Sequence, residues 1–261
     1  MNAPTDLPFL RVAAALDCYR RNLASVARWA DPSWSAALLG ANAVQLQHWQ
    51  GALERAGAAA VEACSHALAD AAGVRPPAFA SLTHAALKPS PAGTAQPNAV
   101  LLDVLPAGRS LQVLRMRALS FRRAEVRRLI DKRTRSQLSE WTGVGIDRLT
   151  QDAHLADAPD IARLAARAAM PPLTALDAGM LAAEGCALLL RDLGRVNAAN
   201  GAGSANDSMR VAFPLLRLAL PRALLTPAWL ACVPDELDAP GSARLFARLS
   251  DLLPEFAWLF G

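Results

Sequence analysis

A hydrolytic or metal-assisted site needs titratable side chains that converge, and this chain offers few groupings that could do so. Its histidines are His48, His66, His84 and His154. Cys64 and His66 are two positions apart, so a helix would turn them to different faces and could not aim both at one metal ion. Asp152, His154 and Asp157 form a denser group that could hold a cation, but three mixed ligands at irregular spacing read first as a polar loop. Gly143-Val144-Gly145 lacks the third glycine and the preceding strand of a dinucleotide loop, and no phosphate loop, nucleophile elbow or HExxH pattern is present. The residues predict a protein that is not an enzyme, with no catalytic residue, cofactor or metal.

Charge offers a different chemistry. Residues 109–135 hold ten Lys/Arg against Glu125 and Asp131, a local net of +8, whereas the whole chain is +4. The basicity is therefore concentrated in one stretch. On a helical wheel Leu119, Val126, Leu129 and Ile130 share one face, which predicts an apolar stripe turned to the core. Arg123, Arg127 and Arg128 point away from it, while Arg122 and Arg133 bracket the stripe, where their long stems can snorkel past an element that buries it. Such a face is either solvated or meets an acidic partner: protein, lipid or nucleic acid. A break near Asp131 to Thr134 imitates a helix-turn-helix, but the cations concentrate on the first helix, the reverse of what a recognition helix shows.

The elements that must position these residues read as helices. Ala, Leu and Arg dominate, and the alternating Val/Ile runs of strands are scarce, so the expected fold class is all-α, an irregular multi-helix globular fold. A first helix spans 7–30. Asp31 caps the next, with Pro32 at its first position and Gly40 at its end. A long helix covers 43–72, with Gly51 and Gly57 as weak points. Residues 88–98, KPSPAGTAQPN, cannot continue a helix and are expected to link an N-terminal region, 1–87, to a C-terminal one, 99–261, the two packing as one large domain. The run 100–105 is helix or strand. Helices follow over 160–170 and 173–193, with Leu176, Met180, Leu181 and Leu188 as core. Residues 194–208 are rich in Asn and Gly and read as a loop. The final helix, 242–260, carries Leu245, Phe246, Leu249, Leu252, Leu253, Phe256, Leu259 and Phe260 on one side and Trp258 on the other, with Pro254 as a kink.

The N-terminal residues have no basic region ahead of an apolar run, so no signal peptide is expected. Residues 32–53 are free of charge and long enough to span a bilayer, but Asn42, Gln45, Gln47, His48 and Gln50 interrupt them. Cys18, Cys64, Cys186 and Cys232 are far apart and read as small buried thiols.

Three stretches together, ALSFRRAEVRRLIDKRTRSQLSEW in mid-chain, Asp31-Pro32-Ser33-Trp34, and the closing LLPEFAWLFG, resemble the accessory proteins of type III secretion systems, the SctK/YscK/OrgA family, in the style of its Hrp branch. The resemblance implies an all-α cytoplasmic adaptor of the sorting platform, held at the inner membrane only through partners. Those partners would be the SctQ-type pod protein and the cytoplasmic domain of the SctD-type ring protein. The family brings no catalytic residues. Arg122, Arg123, Arg127, Arg128, Arg133 and Trp258 are the expected partner-binding residues, and the alternative is a nucleic-acid-binding regulator that uses the 109–135 segment.

Overall fold

A computed structural model describes residues 8–89, 95–150, 159–199, 212–224, 226–234 and 236–261. Its centre is a pair of crossing helices, α7 (Ala107–Phe121) and α12 (Ala178–Ala199). Helix α7 is buried almost all round: Val113, Leu114, Met116, Ala118, Leu119 and Phe121 all lie in the core, as a central helix requires. The crossing is close because Gly185 of α12 has no side chain. A Cβ there would stand 1.7 Å from the Leu114 carbonyl oxygen.

Around this pair the chain is predominantly helical. Helices α1 (Pro8–Ala24) and α2 (Val26–Trp29) replace the single first helix, broken at Ser25. Helix α3 (Pro32–Leu39) starts and stops as its sequence predicts: the Asp31 side chain accepts from the Ser33 N–H, and Gly40 takes the left-handed conformation at φ 61°. The expected helix over 43–72 divides at Ala56-Gly57 into α4 (Ala43–Arg55) and α5 (Ala58–Ala71). After α6 (Phe79–Leu82), strands β1 (Leu87–Pro89) and β2 (Ala95–Pro97) pair antiparallel, with Lys88 opposite Gln96. A 3-10 turn over Ala99–Asp103 settles the helix-or-strand alternative.

The basic stretch divides into α7, α8 (Arg123–Arg128) and α9 (Lys132–Thr142), with the expected break at Asp131 falling between the last two and left-handed Gly143 closing α9. Helix α10 (Ile146–Thr150) and helix α11 (Ile161–Ala168) follow. Helix α12 starts later than predicted, because Leu173–Ala175 forms a separate 3-10 turn, and it runs on through 194–199 of the expected loop. Residues 200–208 of that loop lie outside the described residues. Met180 is also corrected: it sits in the first turn of α12 and is exposed, whereas Leu176, Leu181 and Leu188 are buried.

The C-terminal segment is not one helix. It divides into α13 (Gly241–Ala247), α14 (Leu249–Leu252), a 3-10 turn over Pro254–Phe256, and α15 (Ala257–Phe260). Pro254 ends a helix instead of kinking one, because it has no N–H to donate backwards. The predicted apolar side is still buried, at Leu245, Phe246, Leu249, Leu252, Leu253, Leu259 and Phe260, with Phe256 half-buried. The cysteines are all unpaired, but only Cys186 is fully buried, and Cys232 is exposed. Among the described residues no helix is long and apolar enough to cross a membrane.

Candidate functional site

The ten cations of the basic stretch do not form one surface. Three of them, Arg117, Arg122 and Arg123, point inward and are buried. Their charge is answered by carboxylates that come from far along the chain.

Arg117 sits on the inner face of α7, where α12 and α13 meet it. Its Nη2 donates to Asp192 Oδ2 at 2.9 Å, its Nη1 to Asp238 Oδ2 at 2.8 Å and its Nε to Ser242 Oγ at 2.8 Å. Burial by itself would lower the proton affinity of this guanidinium. The Asp192 and Asp238 carboxylates more than offset that and hold its pKa above the ordinary value. Asp238 is placed by a turn with left-handed backbone, φ 57°, and its Oδ1 also accepts from Arg123 at 3.1 Å and from Arg244 at 2.7 Å. Gly241 is needed beside it, since a Cβ there would stand 2.3 Å from Asp238 Oδ2.

Arg122, at the α7–α8 junction, is fully buried. Its Nε and Nη2 form a bidentate pair with Glu184 of α12 at 2.9 and 2.7 Å, and its Nη1 donates to Glu125 Oε2 and to the Pro171 carbonyl. Glu125 Oε1 in turn accepts from the Leu173 N–H at 2.7 Å. One side chain thereby fixes α7, α8, α12 and the Pro171-Pro172 turn relative to one another. Sequence reasoning placed Arg122 beside the stripe, snorkelling outward to a partner, and this is corrected: its guanidinium is fully buried against Glu184 and Glu125 and is not available to a partner. It placed Arg123 on the outer face, and this is corrected: Arg123 turns in to Asp238, with Nε and Nη2 left without a hydrogen-bond partner.

Another buried ionisable group had no signal in the sequence. Asp103 closes the 3-10 turn before α7 and accepts the N–H groups of Leu215 and Leu216, at 3.2 and 2.7 Å. Burial raises its pKa to about 7, against the opposing pull of those two hydrogen bonds. Burial and the neighbouring Asp103 also raise Tyr19 above its ordinary value.

The remaining predicted residues are exposed, in two places. One is the elbow between α8 and α9. Arg127, Arg128 and Arg133 lie there, together with Lys132. Arg127 donates its Nε to the Thr150 carbonyl at 3.0 Å. The side chains of Arg128 and Lys132 make no hydrogen bond or ion pair among the described residues. Ile130, at the apex, is 93% exposed. It was expected in the apolar stripe, but α8 ends at Arg128, so the helical phase is lost before Ile130 is reached. The other place is Trp258, 38% exposed, which lines a cleft with Phe256 and with Asp17, Cys18 and Arg21 of α1.

No group of three His, Cys, Asp or Glu among the described residues stands close enough to hold a metal ion. Asp152, His154 and Asp157 lie outside the described residues. A family model described as a bacterial type III secretion protein (HrpB4) matches residues 8–255. No curated protein and no solved structure shows detectable similarity to the chain.

Proposed function

Because the chain belongs to the HrpB4 family of bacterial type III secretion proteins, we propose that it is a non-enzymatic cytoplasmic adaptor of the sorting platform, linking the inner-membrane ring to the pod. Its partners in this reading are the SctQ-type pod protein and the cytoplasmic domain of the SctD-type ring protein. The observation that carries the reading is the family match over nearly the whole chain.

The geometry is compatible with a connector. A connector needs a stiff body and at least two contact surfaces. Stiffness comes from Arg117 and Arg122, which tie α7, α12 and α13 through charge-assisted bonds. The contact surfaces are the elbow, through Arg127, Arg128 and Arg133, and the cleft that holds Trp258. Different elements build them: α8 and α9 for the first, α1 and α15 for the second.

Affinity capture of the tagged protein from its native host, followed by mass spectrometry, tests the proposal. Recovery of both the pod and ring proteins, with secretion lost on deletion of the gene, is the expected result. Recovery of nucleic acid or of a tightly bound metabolite in their place would overturn it.

A further inference from the structure

We propose that Ile130 is the apolar anchor of a protein-binding knob whose partner surface is acidic and carries an apolar recess. The inference rests on the adaptor reading and adds the residue at the centre of one of its contacts. Among the described residues Ile130 is the most exposed of the large apolar side chains, at 93%, and it stands on a three-residue connection between two helices. Within three positions on either side are Arg127, Arg128, Lys132 and Arg133, all exposed, against Asp131 as the one acid, a net of +3. An apolar centre inside a polar, charged margin is how protein contacts are built, with the energy concentrated in the centre.

Local stability does not account for this arrangement. Lys132 and Arg133 occupy the first turn of α9, where the partial positive charge of the helix end disfavours cations. Ile130 contributes nothing to the core from where it stands. The connection is nevertheless held firmly, because Asp131 accepts from the N–H groups of Arg133 and Thr134, so the knob is presented in a fixed shape that needs little ordering on binding.

Asp131 also decides between classes of partner. Hydrogen bonds from Thr134 and Arg133 hold its carboxyl below the ordinary pKa, so it is charged at physiological pH, beside Ile130 at the apex. An anionic bilayer or a phosphate backbone would set its dense negative charge against that carboxylate at the centre of the contact. A protein surface can be largely acidic and still supply one donor at that point.

The test uses the full chain, as wild type and as Ile130→Ser, Ile130→Leu, and Arg128→Glu with Lys132→Glu. Each is titrated against the purified SctQ-type pod protein and the SctD-type cytoplasmic domain of the same bacterium. With an unchanged melting temperature, Ile130→Ser and the double reversal are each expected to weaken one of the two complexes by about tenfold or more, while Ile130→Leu retains binding. If the wild type binds a partner and Ile130→Ser binds it equally well, the knob is wrong and the adaptor reading stands. If the wild type binds neither, both fall. Ile130-dependent binding to phosphatidylglycerol vesicles, or Ile130-dependent dimerisation in sedimentation, would also overturn the proposal.

Discussion

Removing the Arg117 guanidinium would leave Asp192 and Asp238 facing each other's field inside the protein. Arg117→Met is therefore expected to cost about 3–5 kcal/mol, the range for breaking one side of a buried ion pair. Arg123→Met should cost clearly less, since two of the Arg123 nitrogens have no partner to lose and Asp238 keeps Arg117 and Arg244. Denaturant titration of the two variants side by side checks the order. Asp103 makes a prediction about pH. Its carboxyl titrates near 3.8 when unfolded and at about 7 in the folded protein, so between those values the folded state holds the extra proton. Stability must then fall as pH rises from about 4 to about 7 for this group, with the favourable contribution fully present below that window. Asp103→Asn removes the titration, so its stability relative to wild type should improve steadily as the pH is raised across the window. Thermal melts at pH 5 and pH 8 would show this; a constant difference between the two proteins would mean that Asp103 does not titrate there.

Among the elements, the α7–α12 crossing has the least tolerance. Gly185→Ala puts a methyl group into the Leu114 carbonyl and should lower stability by about 1–3 kcal/mol or more, seen as an earlier melt. In the C-terminal segment, Phe246→Ala is expected to cost about 3–5 kcal/mol because that ring is 1% exposed. Phe256→Ala should cost less, its ring being only half-buried. The contrast also shows how far local sequence carries. Asp31, Pro32 and Gly40 mark their helix ends legibly because capping depends on residues a few positions apart. The apolar side of the last segment was legible too, although its division at Pro254 into shorter pieces was only half seen. What a helical wheel cannot report is whether a cation is met by water or by a carboxylate from another part of the chain. Arg123 and Ile130 were each placed on the wrong side for related reasons: Asp238 lies 115 residues beyond Arg123, and the helix that set the phase for Ile130 stops two residues short of it. Of the predicted contact residues, the surface thus retains Arg127, Arg128, Arg133 and Trp258.

At the scale of the whole molecule, a two-surface connector predicts separable losses. Charge reversal at Arg128 and Arg133 and the substitution Trp258→Ala should each abolish secretion in the host while disrupting different pairwise interactions. Loss of the same single partner by both, or normal secretion, would rule the arrangement out. The elbow presents too few unpaired cations for a duplex groove, so no retardation of DNA is expected in a gel shift even at low salt, where phosphate contacts are strongest. The arginine clamp has a consequence for how the chain reaches this state. Arg117 is separated from Asp192 by 75 residues, from Asp238 by 121 and from Ser242 by 125. Its central helix cannot be buried without penalty until those segments have arrived, and closing such long loops is slow. On the ribosome, α7 therefore emerges well before its neutralising carboxylates, and a nascent chain stopped ahead of Asp238 would answer that guanidinium with Asp192 alone, without the second carboxylate and the Ser242 hydroxyl. Such a product should be retained by chaperones or degraded, so that only chains carrying α13 are released to assemble.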